Sequence, residues 1–201
     1  KEKLITFVGK LNSAKGYDLF GKSILKILDK HKDWKSIVIG DEPREKLIFK
    51  HKNLKVLGFQ NHSKVLNVFK KTSIAVACSR WEEPFGRTSL EASANGCAVI
   101  ITDKGGLPET VTNAKILKRL NVKNLEKTLS ILIKNKKLRD KLQELSLKNF
   151  YYHPLFFQCD YTYCLLHNYN FYIYFFQIDM TTSSTRPKTE KEHNRKITNP
   201  I

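Results

Sequence analysis

Apolar residues along the first 150 positions fall into short β-branched runs: LITFV (4–8), SIVIG (36–40), LKVLG (54–58), IAVAC (74–78), AVIIT (98–102) and AKILK (114–118). Their length and composition predict strands. Between them the apolar spacing changes to that of a helix face, with Phe20, Ile24, Ile27 and Leu28 in one stretch and Val122, Leu125, Leu129, Leu132 and Ile133 in another. RTSLEASAN (87–95) predicts a further helix, and Pro108 with Glu109 the start of one more. Nearly continuous apolar strands alternating with helices predict an α/β domain, a doubly wound, Rossmann-like parallel sheet covered on both faces. No fixed-period repeat interrupts the pattern.

The pattern ends near residue 150, which divides the chain into a domain, 1–150, and a tail, 151–201. The tail carries twelve aromatic residues in 51 positions and closes on the polar run TTSSTRPKTEKEHNRKITNP. Its aromatic stretch keeps neither a helical nor a strand period, and Asp160, His167, Asn168 and Asn170 break it too often for a membrane span. The tail therefore reads as disordered or foreign to the domain.

Composition adds two constraints. Lys and Arg number 36 against 19 Asp and Glu, a formal net charge of +17, which favours phosphate-bearing partners: a nucleotide, a nucleic acid or an anionic membrane surface. The four cysteines are few for 201 residues and sit in or beside apolar runs, as expected of a reducing, cytoplasmic compartment. His153, Cys159, Cys164 and His167 lack zinc-motif spacing, and no Asp-x-Asp occurs anywhere, so no metal site is predicted.

In a sheet of this kind ligands bind beyond the carboxyl ends of the strands, which directs attention to the loops that follow them. The first, GKLNSAKG, combines Gly9 and Gly16 with Lys10 and Lys15, and two ammonium groups at the crevice suit a phosphate. The fourth, EPFGRTSLEA, makes a turn of Pro84, Phe85 and Gly86. It then enters a helix whose first residues, Arg87, Thr88 and Ser89, offer N–H groups to an anion. Glu83 precedes that turn and Glu91 lies about one helical turn beyond it, so the two carboxylates can face different parts of one ligand. Carboxylates accept paired hydrogen bonds from vicinal hydroxyls, the groups that sugar and ribose diols present. After the fifth strand, Gly105 and Gly106 in TDKGGLPET allow backbone amides to approach a ligand closely. Each loop alone also reads as an ordinary connection or a solvated surface, and the Lys10–Lys15 and Glu83–Glu91 pairs taken singly favour that reading.

Taken in order, FVGKLNSAKG, VIGDEP, VLGF, EPFGRTSLEA with its E-x7-E spacing, and GGLPE resemble the donor-binding, C-terminal domain of the GT-B glycosyltransferases, specifically the large retaining family numbered four. The resemblance runs from about Leu4 to about Leu147. It implies transfer of a sugar from a nucleotide diphosphate sugar to an acceptor hydroxyl with retention, as in glycan or lipopolysaccharide biosynthesis, without a metal or other cofactor. It also implies roles for residues: Lys10 and Lys15 on the donor diphosphate, Glu83 with the Phe85 and Gly86 backbone on the sugar, Glu91 on the ribose, and a supporting part for Glu109. The acceptor, a glycan or lipid-linked molecule, would be bound by an N-terminal domain missing from this chain. Two positions depart from the family pattern: Lys10 stands where Arg is frequent, and Glu42 where a glycine is usual.

Two other readings stay open. A GT-B sugar-nucleotide epimerase would share the donor site. A basic module for nucleic acid or membrane surfaces would explain the charge but predicts basic residues gathered on one face, whereas lysines occur in nearly every segment. No nucleic acid is expected as a partner, and peripheral attachment to the inner face of a membrane remains compatible.

Overall fold

The computed structural model describes residues 1–152, which form six strands and six helices. In chain order they are β1 (Leu4–Val8), α1 (Tyr17–Lys30), β2 (Lys35–Ile39), β3 (Leu54–Val56), α2 (His62–Lys71), β4 (Ile74–Ala77) and α3 (Arg87–Ala94). There follow β5 (Ala98–Thr102), α4 (Leu107–Thr110), β6 (Lys115–Leu117), α5 (Val122–Lys134) and α6 (Lys136–Tyr152). All strand pairs are parallel, in the order β3-β2-β1-β4-β5-β6. β1 is therefore central, and the chain reverses its direction of growth across the sheet at the β1–β4 pair, where Ile5, Thr6 and Phe7 face Ile74, Ala75 and Val76.

Strand alternation sends side chains to two cores. On one face Ile5, Phe7, Val38, Val76 and Ile100 pack with Phe20, Ile24 and Leu28 of α1 and Leu125, Leu129 and Leu132 of α5. On the other, Ile39, Ala75, Val99 and Ile101 meet Val65 and Phe69 of α2 and Ala92 of α3. This is the doubly wound, Rossmann-like sheet that the sequence pattern predicts. At the seam the hydroxyls of Thr6 and Thr72 share a hydrogen bond of 2.7 Å, which satisfies both polar groups inside the core.

The structure differs from the sequence reading at the edges. β3 and β6 have three residues each, shorter than the apolar runs suggested, because an edge strand has a ladder partner on one side only. β2 ends at Ile39 rather than Gly40; a Cβ on Gly40, whose φ is +135°, would stand 1.8 Å from the Gly9 carbonyl oxygen, so glycine lets the ends of β1 and β2 touch. Two helices, α2 and α6, come in addition to those the sequence pattern predicts, although Val65, Val68 and Phe69 give α2 an apolar face. α2 buries only Val65 and Phe69 and is capped by Asn61, which accepts from the Lys64 N–H at 2.9 Å. α6 continues to Tyr152, past the division expected at residue 150. The tail expectations beyond residue 152 lie outside the described residues.

Candidate donor-binding cleft

A cleft of about 190 Å³ opens at the carboxyl ends of β1 and β4, where the sheet order reverses. Gly9 and Lys15 line it from the loop after β1. Ser79, Glu83, Gly86, Arg87 and Thr88 line it from the loop after β4 and the start of α3.

The helices that follow these two loops, α1 and α3, each start after a glycine in the left-handed conformation, Gly16 (φ +76°) and Gly86 (φ +78°), and neither has a side-chain cap. In α1 the Tyr17 N–H donates to the Asn12 carbonyl at 3.0 Å, whereas Arg87 and Thr88 at the start of α3 line the cleft, so it is the positive end of α3 that faces it. In α3 the Gly86 carbonyl accepts from the N–H groups of Ser89 (3.0 Å) and Leu90 (3.2 Å), and also from the Ser89 hydroxyl at 2.9 Å. Ser89 is thus turned into the protein, and it is Thr88 that lines the cleft.

The lysine loop is held on three sides. Asn12 Oδ1 accepts from the Lys15 N–H at 2.9 Å while its amide nitrogen donates to Glu42 at 3.2 Å. The Ser13 N–H donates to both oxygens of Glu45, at 3.0 and 3.1 Å. From the loop after β4, Arg80 makes a bidentate pair with Asp18 at 2.6 and 2.9 Å and donates to the Ser13 carbonyl at 2.5 Å. Within this frame Lys15 Nζ donates to Glu83 Oε1 at 2.5 Å, across the cleft and between two mostly buried side chains. Sequence reasoning identified both residues but did not foresee that they would pair.

Lys10 behaves differently. The N–H groups of Gly9 and Leu11 donate to the carbonyls of Ile39 (3.0 Å) and Asp41 (3.2 Å), so the chain through residue 10 runs on beside the end of β2. Lys10 is exposed there and does not line the cleft. The glycines after β5 also find another neighbour. The Gly105 N–H donates to Glu82 at 2.6 Å and the Gly106 N–H to the Glu83 carbonyl at 2.7 Å. A Cβ on Gly105 (φ +56°) would lie 2.2 Å from that carbonyl oxygen, so the close approach that these glycines permit is to the loop that carries Glu83. Half-buried Phe85 is tied to the same region, its carbonyl accepting from the Thr110 hydroxyl, whereas Glu109 is exposed.

Glu91 stands behind the turn, buried in α3, with His62 Nε2 of α2 hydrogen-bonded to its Oε1 at 3.1 Å. His62 was not legible as a functional residue; the one local signal is its place directly after Asn61, the helix cap. Burial raises the Glu91 carboxyl above its usual range, and the nearby His62 and Arg87 oppose this. A carboxyl raised in the folded state gives stability that is present at acid pH and is lost as pH rises through its folded value, so ionised Glu91 costs stability at neutral pH. Glu91→Gln is therefore expected to raise the urea midpoint at pH 7, with the gain shrinking towards pH 4. A lower midpoint at pH 7 would mean that the charge itself holds α3 to α2.

Residues 1–148 match the family described as glycosyl transferases, group 1. The chain belongs to that family. The phosphatidylinositol N-acetylglucosaminyltransferase GPI3 subunit of Saccharomyces cerevisiae is 32% identical over 117 residues, covering 55% of this chain and 26% of the relative. The lipopolysaccharide core biosynthesis mannosyltransferase LpsB of Rhizobium meliloti is 31% identical over 121 residues, 55% of this chain and 34% of LpsB. Among solved structures, the C-terminal domain of the group 1 glycosyl transferase LpcC from Francisella tularensis superposes with a TM-score of 0.65 at 28% identity, over 72% of this chain and 82% of that domain. The family member described here thus has the Rossmann-like sheet of a GT-B C-terminal domain, and its matches span about a quarter to a third of those curated relatives.

Proposed function

We propose that this domain binds the nucleotide diphosphate sugar in a glycosyltransferase that passes the sugar to an acceptor hydroxyl with retention. The observation that carries this reading is the Lys15–Glu83 pair, set beside the N-terminus of α3, which has no side-chain cap and lines the cleft. As the bond from the anomeric carbon to the phosphate oxygen breaks, negative charge grows on the departing diphosphate. The Lys15 ammonium and the first amides of α3 stabilise that charge from fixed positions, so no metal ion is required. Lys10 at the rim adds attraction at longer range. A diphosphate draws Lys15 away from Glu83, whose carboxylate then accepts from sugar hydroxyls beside the Phe85–Gly86 turn, while Glu91 accepts from the ribose diol. The acceptor, glycan or lipid-linked, is held by a domain outside this chain, and the enzyme works on the cytoplasmic side.

Calorimetry tests the assignment. A nucleoside diphosphate is expected to bind more tightly than the nucleoside, and the advantage should fall as salt rises because the contacts involve accessible charge. Lys10→Ala combined with Lys15→Ala should remove most of that advantage. Glu83→Gln should do the opposite for the bare diphosphate, tightening it by about threefold because Lys15 loses a competing partner. Equal affinity for nucleoside and nucleoside diphosphate would overturn the reading.

A further inference from the structure

Lysines occur in nearly every segment of the sequence, but the fold gathers several of them in one place. A groove of about 490 Å³ runs between α2 and the lower ends of β1, β2 and β3, remote from the strand ends that form the donor cleft. Five of its thirteen lining residues are Lys35, Lys52, Lys55, Lys64 and Lys71, against 36 Lys and Arg among all 201 residues. Glu2 is the one carboxylate in the lining, exposed and 3.8 Å from Lys71. The local charge is therefore strongly positive, whatever the average over the chain.

The floor of the groove differs from its rim. Half-buried Ile37, Leu54 and Val68 lie between the lysines, whose side chains are exposed. Lysine on an edge strand also discourages strands from pairing, which would account for Lys55 on β3. It does not account for Lys35 on an interior strand, or for Lys64 and Lys71 two turns apart on α2. The lining contains neither arginine nor an aromatic side chain, the groups that stack on bases and fork onto nucleic-acid phosphates. Mobile ammonium groups around an apolar floor instead match the phosphates of lipid headgroups, with the glycerol and upper acyl carbons beneath them.

We infer that the α2–β3 groove is a docking surface for an anionic phospholipid membrane. Attachment there is peripheral: no helix among the described residues is long and apolar enough to cross a membrane. The inference does not depend on the donor cleft.

Vesicle co-sedimentation with the full chain provides the test, using phosphatidylglycerol-containing and purely zwitterionic vesicles. The triple variant Lys52→Gln, Lys55→Gln, Lys64→Gln is compared with Lys118→Gln, Lys123→Gln, Lys127→Gln. The second set removes the same charge from exposed lysines after β6 and on α5. Circular dichroism and urea unfolding of both variants confirm that the fold is kept. The parent chain should sediment with anionic vesicles only. The groove variant should lose about tenfold or more of that affinity, and the control no more than about twofold. Equal losses would show that net charge alone attracts the membrane, and absence of binding to anionic vesicles would dismiss the groove. A duplex RNA that displaces the parent chain from vesicles and binds the groove variant more weakly would make nucleic acid the occupant instead. Each of these three results overturns the proposal.

Discussion

Gly16→Ala is expected to destabilise the domain by about 2 to 5 kcal/mol, a large part of the roughly 5 to 15 kcal/mol typical of a folded domain. Two costs combine. At φ +76° an L side chain costs about 1 to 2 kcal/mol. The added Cβ would also stand 2.0 Å from the Cys78 carbonyl oxygen and 3.0 Å from its sulfur, and forcing a methyl group into such a contact costs about 1 to 3 kcal/mol more. Gly58→Ala separates the two, because Gly58 has φ +67° but nothing within 4 Å of the added carbon. It should show the backbone cost alone, about 1 to 2 kcal/mol. Equal shifts in the urea midpoint for the two variants would mean that the approach of α1 to the loop after β4 has no energetic weight.

The second large effect concerns affinity. Glu91→Ala is expected to weaken nucleotide binding by about 1.5 to 3 kcal/mol, the range for hydrogen bonds to charged groups. That corresponds to roughly tenfold to 150-fold in Kd. The loss should apply to the nucleoside as well as the diphosphate, because the ribose is common to both, whereas the lysine substitutions act on the diphosphate alone. Global stability should change little, since removing the buried charge offsets the lost bond to His62. Unchanged nucleoside affinity in calorimetry would reduce Glu91 to a structural partner of α2.

The strands could be read from the sequence because parallel strands buried on both faces appear as unbroken apolar runs, as in AVIIT, where all five residues are buried. α2 carries a helical stripe of its own, Val65, Val68 and Phe69, but over only ten residues, too short a run to stand out beside the strands on either side. α6, with five Lys and Arg residues in seventeen, looks like solvated surface even though Leu138 and Leu142 reach the core. The site divides along the same line. Lys15, Glu83, Gly86 and Thr88 follow strands directly, so the topology of the sheet alone places them at the crevice. The position of Lys10 depends on backbone bonds to residues 39 and 41, and the partner of Glu91 comes from a helix docked 29 positions earlier in the chain. Neither leaves a local trace. Gly105 and Gly106 announce a close approach, but a glycine does not say what approaches it.

Because β1 lies at the middle of the sheet, a ribosome delivers β1, β2 and β3 as a half-sheet well before β4 exists. Until residue 74 emerges, the inner edge of β1 has no ladder partner, and strand pairings that span this many residues are slow to form. Joining the two halves requires the zipping of Ile5, Thr6 and Phe7 onto Ile74, Ala75 and Val76. Lys15 belongs to the first half and Glu83 to the second, so their contact across the seam can form only when the two halves have met. Cleavage between α2 and β4 would thus yield two pieces, each with one side of the cleft, and a ligand that bridges both sides would favour their reassembly.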